Sequence, residues 1–448
     1  MKYALTVICL ASSLVPFMGS ALNLALPYIN KELSLDVVTS GWIPASYMLS
    51  TAVLQVPFAR IADMMGRRRM FIRGVAAFTL FSILSGLARS GAELIAWRFL
   101  SGAGSAMMFG TGMAMLTSLV PPQRRGWALG INTSVVYTSL ALGPLFGGLF
   151  TQYMGWRSIF WTAGIMGLAV IAGTLAAIRE EWKEKPSAGF DTLGTLMYTA
   201  GLFAVIYGFS RMPSAVSFGL VICGAAVLFL FGRYELKAGS PVFNVREFLG
   251  NRIFRLSTLS ALINYAATFA VSFMLSLYLQ DVRGLSPRDA GLVLISQSVV
   301  MAVTALVSGR LSDRMPASRL ATAGMAIVAL GLLSLCFVSE STPFAALMLM
   351  LACLGLGFGL FSSPNTNVIM SSVGKAHYSM ASATAGTMRL TGQAFSMGIA
   401  LMAMSMSLGS VRLSPALHAD MLYGMRLVFI ICTALCAGGV WMSAARSR

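Results

Sequence analysis

The sequence predicts an all-α polytopic membrane protein that crosses the bilayer about fourteen times. The chain is 57% hydrophobic and 10% charged, with a mean hydropathy of +0.78, far outside what a soluble globular chain can cover with polar surface. Apolar runs long enough to cross roughly 30 Å of hydrocarbon recur along the whole chain. Their approximate limits are 4–29, 41–62, 70–88, 92–115, 126–150, 156–178, 190–209, 214–232, 254–279, 290–312, 319–338, 343–370, 380–406 and 422–443.

The first of these runs also resembles a secretory signal, because Lys2 precedes an apolar core and small residues follow that core. We favour a membrane span for two reasons. The apolar character continues to Ile29, which is longer than the core of a signal, and more membrane segments follow instead of a secreted domain.

Two hydrophilic segments, 179–191 and 233–255, divide the spans into groups of six, two and six. The predicted units are therefore an N-terminal six-helix bundle (1–178), two additional helices with flanking cytoplasmic loops (179–250) and a C-terminal six-helix bundle (251–448). An ungapped comparison at an offset of about 250 residues indicates that the bundles are parallel repeats. The matched pairs are Leu35 with Leu285, Gly41 with Gly291, Arg60 with Arg310, Asp63 with Asp313 and Arg69 with Arg319.

The formal net charge of +17 is mostly a topology signal. With the N-terminus placed in the cytoplasm, one side holds roughly 22 Lys and Arg and the other about 7. Both termini are therefore predicted to be cytoplasmic, in a cell membrane whose anionic lipid the basic loops attract. A nucleic-acid partner is not expected, because the basic residues lie in short loops and not on one folded face.

The stretch ARIADMMGRRRM (59–70) and its repeat GRLSDRMPASR (309–319) resemble the loop signature G-x-L-x-D-R-x-G-R-R of the major facilitator superfamily. The first copy departs from it at Ala59 and Met64. The arginines alone also fit a positive-inside anchor. The resemblance implies that Asp63 latches the two bundles on the cytoplasmic side. The gating residues it implies are Asp63, Gly66, Arg67, Arg68, Asp313 and Arg314.

Further motifs are similar to the fourteen-helix drug:proton antiporter branch of that family, which contains multidrug efflux proteins. They are AWRFLSGAGSA, LGPLFGGLF, GWRSIF, FDTLG, YLQDVRGLSPRDAG and MRLTGQAFSMGIA. The resemblance implies the major facilitator fold, with two extra central helices between the bundles. It also implies a secondary transporter that exports small amphipathic or cationic compounds at the expense of the proton gradient.

Arg98 lies inside an apolar span, where a charge is costly unless it is paired or hydrated. Extension of the side chain to the outer interface beside Trp97 is one interpretation. The resemblance implies the other, that Arg98 takes part in proton handling, with Glu93 as a nearby carboxylate.

The fifth span carries the pattern that exporters of the family share, at Gly143, Pro144, Gly147 and Gly148. Proline bends a helix, and small residues allow a neighbouring helix to approach closely. Ordinary packing explains the pattern, whereas the resemblance implies a seal against leak and a bias towards export.

Polar side chains within the spans are candidates for a substrate cavity, although interhelical hydrogen bonds are the common alternative. The selected residues lie mostly on helices that line the cavity in this family. They are Asn23, Tyr47, Tyr137, Asn264, Tyr265, Gln297 and Arg389.

The first span departs from the antiporter branch, because Met18 stands where the branch carries an Asp. The sequence places no other acid deep in a span, and Asp281 is assigned to an outer loop. A proton antiporter needs a group whose pKa responds to its cargo. Glu93 serves this purpose, or Asp63 does, or proton coupling has changed or been lost.

Two classes of cargo therefore stay open. Small cationic or amphipathic compounds are one, and an anionic metabolite or a lipid, with Arg98 and Arg389 as counter-charges, is the other. An enzyme is not expected, since there are 2 His and no metal or nucleophile constellation. No cofactor, no metal and no required oligomer are predicted, and a pump driven by nucleotide lacks its phosphate-binding loop. A non-transporting sensor stays possible.

Overall fold

A computed structural model describes residues 2–121, 125–182, 190–238, 243, 245–312, 314–374, 378–409 and 417–446. The first six long helices form one bundle. They are α1 (Lys2–Leu33), α2 (Val37–Met65), α3 (Arg67–Leu87), α4 (Gly91–Leu119), α5 (Arg125–Met154) and α6 (Arg157–Ala177).

Two further long helices and one short helix follow before the second bundle. They are α7 (Thr192–Ser210), α8 (Ala215–Glu235) and α9 (Val245–Gly250). The second bundle consists of α10 (Arg252–Thr268), α11 (Val271–Leu277), a π-helical turn (Tyr278–Val282), α12 (Pro287–Leu311), α13 (Ala317–Leu335), α14 (Phe344–Ser371), α15 (Tyr378–Ser407) and α16 (His418–Ala445). The predicted fold class, two six-helix bundles with two additional helices, is confirmed.

The two bundles pack in corresponding ways. In the first, α4 contacts α2 and α3, and α1 contacts α5 and α6, whereas in the second α14 contacts α12 and α13, and α10 contacts α15 and α16. Across the bundles, α5 packs on α12 and α2 packs on α15. Helix α7 contacts α2 and α15, and α8 packs on α7. The additional pair, α7 and α8, therefore covers the line along which α2 of the first bundle meets α15 of the second.

Hydropathy accounts for most of these helices. Within the described residues, 13 helical segments are long and apolar enough to cross a membrane, and α10, α11 and the π-helical turn count together as one of them. Helix α15 is not among them, although it is 30 residues long. It contacts α2, α7, α10 and α16, and its Thr384, Thr387, Thr391 and Ser396 side chains are buried among them.

The predicted span 254–279 lies within one membrane-crossing segment, Arg252–Val282, and its helix is interrupted between Thr268 and Val271. At the break, the Ala270 backbone N–H donates to the Ser396 hydroxyl on α15 at 2.9 Å. This contact between helices replaces a hydrogen bond within the helix, which lets the chain bend inside the membrane.

Local sequence sets the short connection between α2 and α3. Gly66 has a φ of 111° there, a value that residues with a Cβ rarely adopt. The turn directs the arginine-rich start of α3 towards the segment that follows α6. The domain boundaries and the cytoplasmic placement of the termini stay predictions.

Candidate functional site

A cluster of aromatic and polar side chains lies where the two bundles face each other. Tyr137 on α5 shares a hydrogen bond with Ser362 on α14, with 2.5 Å between their hydroxyl oxygens. The Arg389 guanidinium carbon on α15 lies 5.6 Å from the centre of the Phe109 ring on α4. Both contacts join one bundle to the other, so this face is held by two specific pairs.

Two more aromatic rings adjoin these pairs. Tyr265 on α10 packs edge to face against Phe358 on α14, with 5.4 Å between ring centres. Tyr137 lies within electrostatic range of both Tyr265 and Arg389. We call Phe109, Tyr137, Tyr265, Phe358, Ser362 and Arg389 the central cluster.

The central cluster lies near the middle of the membrane-spanning helices. Arg389 is 11 residues from Tyr378, where α15 begins, which corresponds to roughly 16 Å of helix. Tyr137 and Tyr265 occupy similar depths, 12 and 13 residues after the first residues of α5 and α10. Sites for transported solutes are typically built at this depth, at the interface of two repeats.

The charge of the central cluster comes from Arg389. Within the described part of the chain, its guanidinium forms no ion pair and lies over the ring of Phe109. Its side chain is partly exposed.

The bundles also meet near their predicted outer ends, where α1 faces α11. The Ser276 hydroxyl donates to the Asn23 carbonyl oxygen at 2.6 Å. The Gln280 side-chain amide donates to the Leu24 carbonyl oxygen at 3.1 Å. We call this region, together with the contact of α5 with α12, the outer seal.

Glycines make the α5 part of the outer seal possible. A Cβ on Gly148 would lie 3.0 Å from the Pro287 carbonyl carbon at the start of α12. A Cβ on Gly291 would lie 2.5 Å from the carbonyl oxygen of Pro144 on α5. These backbones approach more closely than any side chain allows, so this face of α5 is a contact between bundles.

The other two glycines of the exporter pattern pack inside the first bundle. A Cβ on Gly147 would lie 2.6 Å from the Ala21 Cα atom on α1, and one on Gly143 would lie 2.8 Å from the Ser20 Cβ atom. The pattern therefore has two faces, one towards α1 and one towards α12.

Arg98 is buried, with 1% of its surface exposed, and does not extend to the outer interface. Its guanidinium carbon lies 4.2 Å from the centre of the Tyr47 ring and 5.9 Å from that of Phe160. The Tyr47 hydroxyl in turn bonds to the Ser105 hydroxyl. Among the described residues, Nε and Nη1 of Arg98 have no hydrogen-bond partner, so aromatic faces stabilise this charge.

Glu93 lies in the first turn of α4 and caps the end of that helix. Its carboxylate accepts from the Arg89 backbone N–H at 3.0 Å and from the Trp97 indole N–H at 3.3 Å. Its own N–H donates to the Ser90 hydroxyl at 3.2 Å. This is the geometry of a helix N-terminus, and Glu93 as a proton carrier stays a prediction.

The sequence assigned Asp281 to an outer loop, and this assignment is wrong. Asp281 lies in the π-helical turn at the end of the α10–α11 span. Its Oδ2 atom is buried and has no hydrogen-bond partner among the described residues. Burying a charged carboxylate oxygen without a donor costs free energy. One feature of the sequence points to this site, the acid within the motif YLQDVRG.

The arginine-rich start of α3 binds the segment that follows α6. The Arg68 backbone N–H donates to Glu181 Oε1 at 2.9 Å, and its Nε donates to the Ile178 carbonyl oxygen at 2.5 Å. Asp63 pairs with Arg67 at 2.8 Å. These contacts stay inside the first bundle, and the predicted latch between bundles stays a prediction.

The repeat of this loop is less well defined. Arg314 is exposed, and Asp313 lies outside the described residues. The gating role of Asp313 and Arg314 therefore also stays a prediction.

The structure brings Tyr137, Tyr265 and Arg389 together and separates the other predicted cavity residues. Asn23 belongs to the outer seal, and Tyr47 lies beside Arg98. Asn264 is fully buried in α10, and the Gln297 backbone packs against Gly355 of α14. Sequence reasoning missed Phe109, Phe358 and Ser362, because single aromatic residues and serines in an apolar helix are too common to single out.

Two six-helix bundles that meet around a polar and aromatic cluster at mid-membrane are typical of membrane transporters built from two repeats. The model of the Major Facilitator Superfamily matches residues 8–397. The chain belongs to this family and is an integral membrane transporter of small molecules.

The chain is similar to transporters of different cargo. It is 34% identical to the cephamycin export protein CmcT of Amycolatopsis lactamdurans over 412 residues, which cover 89% of this chain and 84% of that protein. It is 26% identical to the riboflavin transporter RibZ of Clostridioides difficile (strain 630) over 369 residues, covering 82% and 80%.

The fold is shared with a bacterial homologue of the human lysosomal transporter Spinster, solved in an inward-facing conformation. The TM-score is 0.72 at 18% identity, and the match covers 100% of this chain and 97% of that chain. This likeness shows the fold alone.

Proposed function

We propose that this protein exports small amphipathic compounds by alternating access, as a member of the fourteen-helix drug:proton antiporter branch. The observation that carries the proposal is the central cluster, which joins α4 and α5 of one bundle to α14 and α15 of the other. A solute bound there contacts both bundles, so its binding free energy depends on how the bundles are arranged. The export protein CmcT supports the direction of transport.

The outer seal is the part of the protein that opens during the proposed export. Its contacts close the predicted outer side, where Ser276 meets Asn23 and α5 meets α12. For export, these contacts separate after cargo binds, and the central cluster then faces outward. The protein works in the cytoplasmic membrane with both termini inside, and one copy of the chain is sufficient.

We propose that protons drive the export. Besides Asp63, which pairs with Arg67 at 2.8 Å, two carboxylates are candidates for the proton-binding group, and they differ in their surroundings. Glu93 is held by three hydrogen bonds at a helix end, whereas Asp281 buries an oxygen without a donor among the described residues. Protonation removes the cost of burying the charge of Asp281 beside the outer seal. Asp281 is therefore the stronger candidate, and Arg98 is a positive charge in the same half of the membrane.

A transport assay tests the proposal. Purified protein is placed in proteoliposomes whose interior is more acidic than the medium. Uptake is then measured for one planar cation (ethidium), one neutral compound (riboflavin) and one anion (2-naphthalenesulfonate). We expect uptake of at least one compound that requires the gradient, and loss of the gradient dependence in Asp281→Asn but not in Glu93→Gln. Equal signals in protein-free vesicles for all three compounds would reject the function, and uptake unaffected by the gradient would reject proton coupling alone.

A further inference from the structure

The central cluster contains a cation and several aromatic rings but no acid. Arg389 contributes the positive charge, and within the described residues it forms no ion pair. Phe109 contributes a ring surface beside it, and Tyr137 lies within electrostatic range of both Arg389 and Tyr265. A cationic cargo therefore finds no counter-charge here, whereas an anionic cargo does.

We propose that the central cluster binds planar aromatic compounds that carry an anionic acid group. The acid group lies on the Arg389 guanidinium, and the aromatic part lies among Phe109, Tyr137 and Tyr265. This inference rests on the proposed transport function and names its substrate class.

The chemistry of arginine supports this assignment. A guanidinium presents several N–H donors in one plane, which match the two oxygens of a carboxylate or a sulfonate. Its guanidinium carbon lies 5.6 Å from the centre of the Phe109 ring, and a contact with a ring occupies none of the N–H donors that an acid group would use. The tyrosine rings provide flat surfaces for stacking, and their hydroxyls supply hydrogen bonds.

The same arrangement connects binding to movement of the bundles. Arg389 belongs to α15 and Phe109 to α4, so their contact holds the two bundles together. An anion that pairs with Arg389 draws the guanidinium away from the ring and weakens this contact. An inside-negative membrane potential also favours outward movement of a negative charge.

Binding to the purified full-length protein tests the inference without requiring transport. We would measure the dissociation constants of 2-naphthalenesulfonate, its neutral analogue 2-naphthalenesulfonamide, and 2-naphthylmethylammonium by titration calorimetry. A charge-assisted hydrogen bond predicts that the sulfonate binds about 10- to 100-fold more tightly than the sulfonamide. The ammonium compound is expected to bind more weakly than either.

Variants assign the effect to Arg389. Arg389→Gln is expected to remove the preference for the sulfonate while the sulfonamide binds as before, and Arg389→Lys to keep part of the preference. Arg426→Gln is the matched control, because Arg426 lies on the same bundle and donates to the Cys336 carbonyl oxygen at 3.1 Å, away from the central cluster. It is expected to leave all three dissociation constants unchanged.

The outcomes separate this inference from the proposed function. Equal binding of sulfonate and sulfonamide, preference for the ammonium compound, or an unchanged preference in Arg389→Gln would each overturn the substrate class. Transport of riboflavin or ethidium in the proteoliposome assay would leave the transport function standing in those cases. Preference for the sulfonate, lost in Arg389→Gln, together with no transport of any compound would support the site and reject the function.

Discussion

Gly148 is the position where we expect one methyl group to change the conformation of this transporter. A Cβ there would lie 3.0 Å from the Pro287 carbonyl carbon and 3.1 Å from the Arg288 Cα atom. Ordinary contacts between carbon atoms are about 3.5–4.0 Å, so Gly148→Ala overlaps the α12 backbone by about half an ångström or more. Overpacking of this kind costs about 1–3 kcal/mol.

This cost applies only while the outer seal is closed. In the proposed outward-open arrangement α5 and α12 separate at this end, and we expect the added methyl group to meet no backbone there. A penalty of about 1–3 kcal/mol on one state changes the ratio of the two states by about 5- to 150-fold. Gly148→Ala is therefore expected to populate a conformation with separated outer ends.

Double electron–electron resonance between spin labels attached at positions 89 and 340 would detect this change in the distance between the outer ends of the bundles. Both residues are exposed, and they lie between α3 and α4 and between α13 and α14, at the predicted outer ends of the two bundles. Gly148→Ala is expected to add a longer distance to the distribution. Gly19→Ala is the control, since a Cβ on Gly19 meets nothing within 4 Å. An unchanged distribution in Gly148→Ala would show that the closed outer seal accommodates the methyl group, which would refute the expected shift between the two states.

Three further variants test local contacts by thermal unfolding in detergent. Glu181→Gln weakens the cap on the Arg68 N–H and is expected to cost about 0.5–2 kcal/mol, with Glu181→Asp as a shorter charged control. Ser396→Ala leaves the Ala270 N–H without its acceptor, an expected loss of about 1–3 kcal/mol that Ser396→Thr should largely avoid. Arg446, just beyond the last span, is buried and donates to α10, α13 and α14. Arg446→Met is expected to lower stability by about 1.5–3 kcal/mol, and an unchanged unfolding temperature would contradict this. Burial lowers the pKa of Arg446 to about 10, below its unfolded value. The folded protein therefore releases this proton at a lower pH than the unfolded chain, and the free energy of unfolding rises through this group only as pH passes about 10. The effect of Arg446→Met should therefore be constant between about pH 6 and 9.

The fold was predictable because each span must satisfy its own backbone in lipid, which leaves long apolar helices as a strong pattern. The break in the span that contains Ala270 was not predictable. It depends on the Ser396 hydroxyl, which is distant in sequence and accepts the freed N–H. Pairings between helices of this kind have no periodic signature within either segment.

The candidate site was predictable in part. Arg389 was identifiable because a charge inside an apolar helix is costly and therefore conspicuous, and Tyr137 and Tyr265 are polar residues on suitable helices. Phe109 and Ser362 were not identifiable, since only side-chain contacts between α4 and α15 and between α5 and α14 bring them to the central cluster. The role of Gly148 at a contact between bundles likewise needed the structure.

The central claim is that small amphipathic compounds move through the central cluster by alternating access. Solute counterflow tests it most directly, because exchange needs no imposed gradient and does not depend on how transport is driven. Proteoliposomes preloaded with unlabelled riboflavin or 2-naphthalenesulfonate would receive the same compound in labelled form outside. We expect a transient accumulation of label above equilibrium for at least one compound, reduced in Tyr137→Ala. Labelled compound that never exceeds the level in protein-free vesicles, for either cargo, would contradict the claim.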